Sequence, residues 1–110
     1  MTAGVDNLQL AQRVRGFFPL LSFSDAQQIA TSGVAARSTV INYSVVMLYS
    51  SQVAHFAVGN VSVAATTGAG SSTIAANERL FIALDTGQYI SVIQDTQAGY
   101  VEIVGVLRTV

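Results

Sequence analysis

Between Ser38 and Asn77 forty consecutive residues carry no Lys, Arg, Asp or Glu, and glycine, asparagine and serine cut this run into short β-branched and aromatic pieces. Apolar residues gathered in short runs, with turn residues every eight to twelve or so positions, can be buried as strands; a helix needs a longer stripe of period 3.6. The texture continues from Arg37 to the end of the chain and predicts an all-β fold, an antiparallel β-sandwich or jelly-roll-like domain. Residues 39–49 supply one or two strands. Residues 53–58 and 61–66 read as a hairpin closed by a two-residue Gly59-Asn60 turn of type II′. A flexible loop at 68–72, a short strand at 73–75 and a turn at Ala76-Asn77-Glu78 follow. Residues 79–84, 88–94 and 100–107, joined by Asp85-Thr86-Gly87 and residues 95–99, form an antiparallel meander.

Alternation assigns the faces. Ile90 and Val92 share one side of their strand, the core side, against Tyr89, Ser91 and Ile93. In the last strand Val101, Ile103 and Leu107 oppose Tyr100, Val104 and Val106, with Glu102 the only charge. A strand apolar on both sides predicts cover from the N-terminal arm or from another subunit.

Residues 1–34 differ in kind and are expected to form an arm with short helical segments, residues 35–110 being the sandwich. Asp6 can cap a helix whose Leu10, Val14 and Phe17 fall on one stripe, stopped by Gly16 and Pro19. Ser24 and Gln27 have capping-box spacing, which predicts a second short helix ending near Gly33. Between the two, Phe17-Phe18-Pro19-Leu20-Leu21-Ser22-Phe23 must be buried, either on the chain's own sheet or as a clasp on a neighbouring subunit. The candidate protein-interface residues are therefore Leu10, Val14, Phe17, Phe18, Leu20, Leu21 and Phe23.

Charged residues make up 10% of the chain, against about 25% in ordinary soluble domains. So bare a surface is expected to face protein. Five dispersed arginines and a net charge of −1 offer no basic stripe for nucleic acid. The longest apolar runs fall short of the ~20 residues of a spanning helix, which argues against a membrane partner. Asp6 precedes any basic residue, and Pro19 and Ser22 break the following apolar stretch, so the N-terminus does not read as a signal peptide and cytoplasmic synthesis is expected.

Most chemistry finds no support, and no cofactor is expected. Without cysteine there is no disulfide or thiolate, and without lysine no Schiff base and no P-loop. His55 is the sole histidine, which cannot build a multi-histidine metal site; a surface or cross-strand position is expected for it. A Ser-His-Asp triad can be composed from His55 with Asp85 or Asp95, but no G-x-S-x-G elbow accompanies it. Asp85-Thr86-Gly87 resembles the D-T-G signature of dimeric retroviral-type aspartic proteases. It continues, however, with Gln88 and leaves 23 residues, too few for a flap, so a glycine turn is expected and a protease using Asp85 is a remote alternative.

The segments Asn77-Glu78-Arg79-Leu80-Phe81-Ile82-Ala83-Leu84, Gly87-Gln88-Tyr89-Ile90-Ser91-Val92-Ile93 and Ala98-Gly99-Tyr100-Val101-Glu102-Ile103 resemble small β-sandwich virion proteins of tailed bacteriophages. Those are head decoration, cement and fibre-base proteins, often trimeric and armed. The resemblance implies a non-enzymatic virion structural protein made in the bacterial host cytoplasm. Its partner would be the major capsid protein or another virion protein, in a homo-oligomer, with a trimer favoured. A carbohydrate-binding or other host-recognition sandwich is the alternative, with Tyr43, Tyr49, Tyr89 and Tyr100 as stacking candidates.

Overall fold

The computed structural model describes residues 24–108, and none of these is helical. Eight strands follow in chain order: β1 (Ser24–Ala30), β2 (Ala36–Arg37), β3 (Tyr43–Ser50), β4 (Ala54–Gly59), β5 (Ser72–Ile74), β6 (Arg79–Ala83), β7 (Tyr89–Gln94) and β8 (Tyr100–Arg108). They form two antiparallel four-stranded sheets, β1-β8-β3-β6 (sheet A) and β2-β7-β4-β5 (sheet B). The pairings β1·β8, β2·β7, β3·β6 and β4·β5 are nested, as in one long hairpin rolled up until β3 also meets β8 and β4 also meets β7.

Period-two alternation sets the shared core. Val46 and Leu48 on β3, Val101 and Ile103 on β8, Ala54 and Phe56 on β4, and Ile90 and Val92 on β7 turn inward into one buried cluster. Leu48, Ile74, Ile90, Val92 and Val101 are completely buried, each worth about 1.5–3 kcal/mol of transfer free energy. At one end of the core the Tyr43 ring lies against the backbone of Gly105, where a Cβ would come within 2.5 Å of it.

Hydroxyl groups fasten the connections to the strands. Ser38 accepts from the Ile90 amide at 3.0 Å while its own amide donates to the Ile90 carbonyl at 2.8 Å. Thr31 and Gly99 exchange a similar pair, Gly99 N–H to Thr31 Oγ1 at 2.8 Å and Thr31 N–H to the Gly99 carbonyl at 2.9 Å. Ser51 does the same with Tyr100, at 2.9 and 3.0 Å. Each hydroxyl continues a ladder where a strand has ended, so backbone donors that loops would orphan in the interior are paired.

The all-β fold with two antiparallel sheets is as the strand-and-turn texture predicts, but four local expectations are corrected. Ser24, expected to cap a helix, instead opens β1, whose residues 27–30 pair with residues 100–103 of β8. A cap is worth about 1 kcal/mol. A ladder on β8 and the packing of Ile29 against the core outweigh it, so residues 24–30, expected in the arm, belong to sheet A. The Gly59-Asn60 hairpin does not form: β4 pairs with β5, residues 60–71 connect the two, and among the described glycines only Gly70 and Gly87 have positive φ. The meander is absent too. β6 and β8 lie in sheet A and β7 in sheet B, because residues 84–88 and 95–99 cross the gap of about 10 Å between sheets instead of closing hairpins. Crossing lets Leu80 and Ile82, Ile90 and Val92, and Val101 and Ile103 all reach one core. Finally, a register shift between Val45 and Val46 reverses the end of β8: Val106 is buried and Leu107 turns outward opposite Val45. The expected arm helix and the interface residues Leu10, Val14, Phe17, Phe18, Leu20, Leu21 and Phe23 lie outside the described residues.

Candidate interaction surface

The two sheets present opposite kinds of outer face. On sheet B the connection 60–71 crosses the strands and covers them. The Arg37 guanidinium reaches from β2 to the Val61 carbonyl, and the Ala65 amide donates to Ser91 Oγ at 2.8 Å. Ser91, on the side of β7 away from the core, is only 1% exposed as a result, and Ala65 only 4%. Every other described connection has five residues or fewer.

Sheet A's outer face is ordered in rows by strand register. Arg79, Tyr49 and Glu102 stand side by side on β6, β3 and β8, with Gln28 of β1 beyond Glu102. The next row is Phe81, Met47 and Val104, and the next Ala83, Val45 and Leu107. Phe81 is 49% and Leu107 43% exposed, while Val45, Met47 and Val104 are half-buried. Two adjoining rows are thus wholly apolar on a face directed away from the core, bordered by a row with one positive and one negative side chain. The polar row is braced. The Arg79 guanidinium lies 4.8 Å from the Tyr49 ring centroid, Tyr49 Oη donates to Asn77 Oδ1 at 2.8 Å, and the Tyr49 and Tyr100 rings sit tilted 6.1 Å apart. Asn77 holds its place from a left-handed conformation, φ 61°, in the β5–β6 turn.

His55 takes the expected cross-strand position. It stands on β4 opposite Thr73 of β5, 8% exposed, on the side away from the core residues Ala54 and Phe56. Its Nε2 is 2.8 Å from Asp95 Oδ1 and its Nδ1 3.1 Å from Thr73 Oγ1. With the proton on Nε2, the imidazole donates to Asp95 and accepts from the Thr73 hydroxyl, which satisfies all three groups. The sequence left Asp85 and Asp95 as alternative partners and did not offer Thr73, whose proximity depends on the β4·β5 register. Hydroxyl, imidazole and carboxylate have the order of a nucleophilic relay. Acyl transfer further requires donors at the developing oxyanion and a concave site. Thr73 lies mid-way along the short edge strand β5. The group ties β4, β5 and the start of the β7–β8 turn together.

Asp85 is exposed in a turn in which Gly87 adopts the expected positive φ, 82°, but the turn joins the two sheets and does not close the expected hairpin. Among the described residues no group of three or more His, Cys, Asp or Glu side chains could hold a metal ion. A cavity of about 330 Å³ opens between the start of β1 and the β2–β3 connection, bordered by Gln27, Thr39, Asn42, Tyr43 and Gly105. Of the four tyrosines, Tyr43 is buried, and Arg79 and Arg37 guanidinium groups stand over Tyr49 and Tyr89. No described helix is long and apolar enough to cross a membrane. Comparison with protein-family models, with curated proteins and with solved structures finds no match for this chain.

Proposed function

We propose that this chain is a non-enzymatic structural protein of a virion, a decoration or cement component that docks on the major capsid protein or another shell protein and stabilises the particle. The observation that carries this reading is the outer face of sheet A, where Met47 and Val104 lie beside one another and Ala83, Val45 and Leu107 form the adjoining apolar row. A cement protein works by burying apolar area at subunit junctions. At about 25 cal/mol per Å², modest patches repeated around a shell add up to a large avidity. Few ionic groups have to be desolvated on docking, because the chain carries so few.

Two further features support the reading. The nested order of the strands is jelly-roll connectivity, an architecture that viral capsid proteins share with lectins and cupins, and an argument by fold analogy. The apolar segment 17–23 immediately precedes β1, which enters sheet A beside Gly105, at the apolar end of this face. Arm and face would then form one continuous contact with the shell.

The test is composition. Particles purified by density gradient from a host carrying this coding sequence should contain the chain in many copies, removable by mild denaturant with loss of shell stability. A Met47→Asp variant should fold but fail to join particles. Purified particles that lack the chain, or incorporate the variant as well as the wild type, would overturn the proposal.

A further inference from the structure

We infer that the cavity between the start of β1 and the β2–β3 connection is a binding site for one neutral sugar ring, free or at the end of a glycan. This role goes beyond the virion reading and does not depend on it.

Three strands are irregular where the cavity lies. β1 carries one residue too many for its partner, since Ser24 pairs with Gly105 but Gln27 with Ile103, and β3 slips against β8 on either side of Val45. Both breaks meet at Gly105, which borders the cavity. Bulges of this kind bend a strand and re-aim its side chains, and they are over-represented next to active sites. The volume of about 330 Å³ is at the low end of the range for small-ligand sites, room for one ring.

Chemistry narrows the ligand. The buried side chains Ile41, Val46 and Ile103 and the ring of Tyr43 make an apolar floor. The mouth carries the exposed Thr39 and Asn42 and the half-buried Gln27. Among the described residues no Asp, Glu, Arg or His borders the cavity, so an ionic ligand would lose hydration without gaining a counter-charge. A purely apolar ligand fits no better. Gln27 Oε1 accepts from the Thr39 amide at 3.0 Å, but the Gln27 amino group has no acceptor among the described residues, and the Thr39 hydroxyl and the Asn42 carboxamide have no partner there. Hydrocarbon laid over these groups would strand them. A sugar ring satisfies both ends of the cavity. Its C–H face packs on the floor, and its hydroxyls, each donor and acceptor, match two carboxamides and a hydroxyl.

The test is titration of the full chain with glucose, galactose, mannose and N-acetylglucosamine, followed by nitrogen-correlated NMR. At least one should bind with a dissociation constant of about 1–10 mM, the affinity expected of about a dozen heavy atoms, and should move the amide signals of residues 26–27, 39–43 and 103–105. The matching uronic acid, which adds a charge, should bind at least about tenfold more weakly. Asn42→Ala and Thr39→Val, at exposed positions, should each keep the far-UV circular dichroism of the wild type and weaken binding about three- to tenfold. Gln27→Glu keeps the acceptor for the Thr39 amide while removing both donors, and should weaken binding about tenfold. Methyl glycosides separate the two sources: binding that survives methylation of the anomeric hydroxyl belongs to the end of a glycan, and binding that needs this hydroxyl belongs to a free sugar. Absence of shifts with all four sugars at about 50 mM, well above the expected range, overturns the inference. So do shifts centred elsewhere, a uronic acid bound as tightly as its parent, or affinity unchanged in all three variants.

Discussion

Replacing Gly105 with alanine tests the packing at the end of the core where β8 shifts register. An added Cβ would stand 2.5–2.6 Å from Cζ, Cε1 and Cε2 of Tyr43, against about 3.5–4.0 Å for carbon atoms at rest. The ring must retreat by about 1 Å, and at 5% exposure, inside the core cluster, it has little room. Backbone strain does not contribute, because Gly105 is not among the positive-φ glycines. Overpacking of this kind costs about 1–3 kcal/mol. Urea unfolding followed by far-UV circular dichroism should show a midpoint about 1 M lower, and thermal unfolding a midpoint about 10 °C lower. Gly33→Ala, where an added Cβ meets nothing within 4 Å, is the control and should change stability by less than about 0.5 kcal/mol. Tyr43→Leu removes the obstructing ring atoms, so in that background Gly105→Ala should cost less than about 0.5 kcal/mol. A neutral Gly105→Ala in the wild type, or an equal cost in both backgrounds, would falsify the steric account.

Leu48→Ala should destabilise the fold by about 2–5 kcal/mol, whereas Met47→Ala, one residue away on the outer face, should cost under about 1 kcal/mol in denaturant titrations; similar losses would contradict the inside–outside assignment of β3. Ser91→Ala leaves the buried Ala65 amide without its acceptor, at about 1–3 kcal/mol. It should also speed limited proteolysis within 60–71, and an unaltered cleavage pattern would mean that the hydroxyl does not hold this segment. Thr73→Val should lower stability by about 1 kcal/mol. Nitrogen-correlated NMR at a pH where His55 is neutral should find its proton on Nε2, and the Nδ1–H tautomer would refute donation from the imidazole to Asp95 and from Thr73 to the imidazole.

The positions of β3 to β8 were legible in the sequence because alternation is local, whereas β1 and β2 were not, and residues 61–66, read as a strand, are a connection. Ile90 and Val92 announce the core side of β7 from their own spacing, and both are fully buried. The partners of each strand were not legible. Asp85-Thr86-Gly87 has the composition of a hairpin turn, and nothing within it shows that β6 and β7 belong to different sheets. Ser24 and Gln27 satisfy a helix-capping pattern, and only the need of β8 for a neighbour on its second side makes them strand. Leu107 carries no sign of the slip that turns it outward, since that slip belongs to the fit of β8 on β3. The outer face of sheet A follows the same rule. The suspicion that the last strand was covered on both sides could be raised from Tyr100, Val104 and Val106, but Met47 and Phe81 join Val104 only once the register of three strands is known. The assignment of Asp95 and Thr73 to His55 likewise needed the β4·β7 and β4·β5 pairings.

The hydroxyls of Thr31, Ser38, Ser51 and Ser91, which close the connections onto the strands, have a consequence for the conditions the fold can withstand. Neutral hydrogen bonds are not weakened by counterions, and among the described residues the only ion pair is the contact of the buried His55 with the exposed Asp95. Cations and anions at molar concentration therefore have almost nothing in this domain to screen. Through the hydrophobic term a salting-out electrolyte should strengthen it. A protein latched in this way keeps its shape through swings of ionic strength that would loosen a fold built on surface ion networks, so salt should act on its associations with other molecules and leave the domain itself intact.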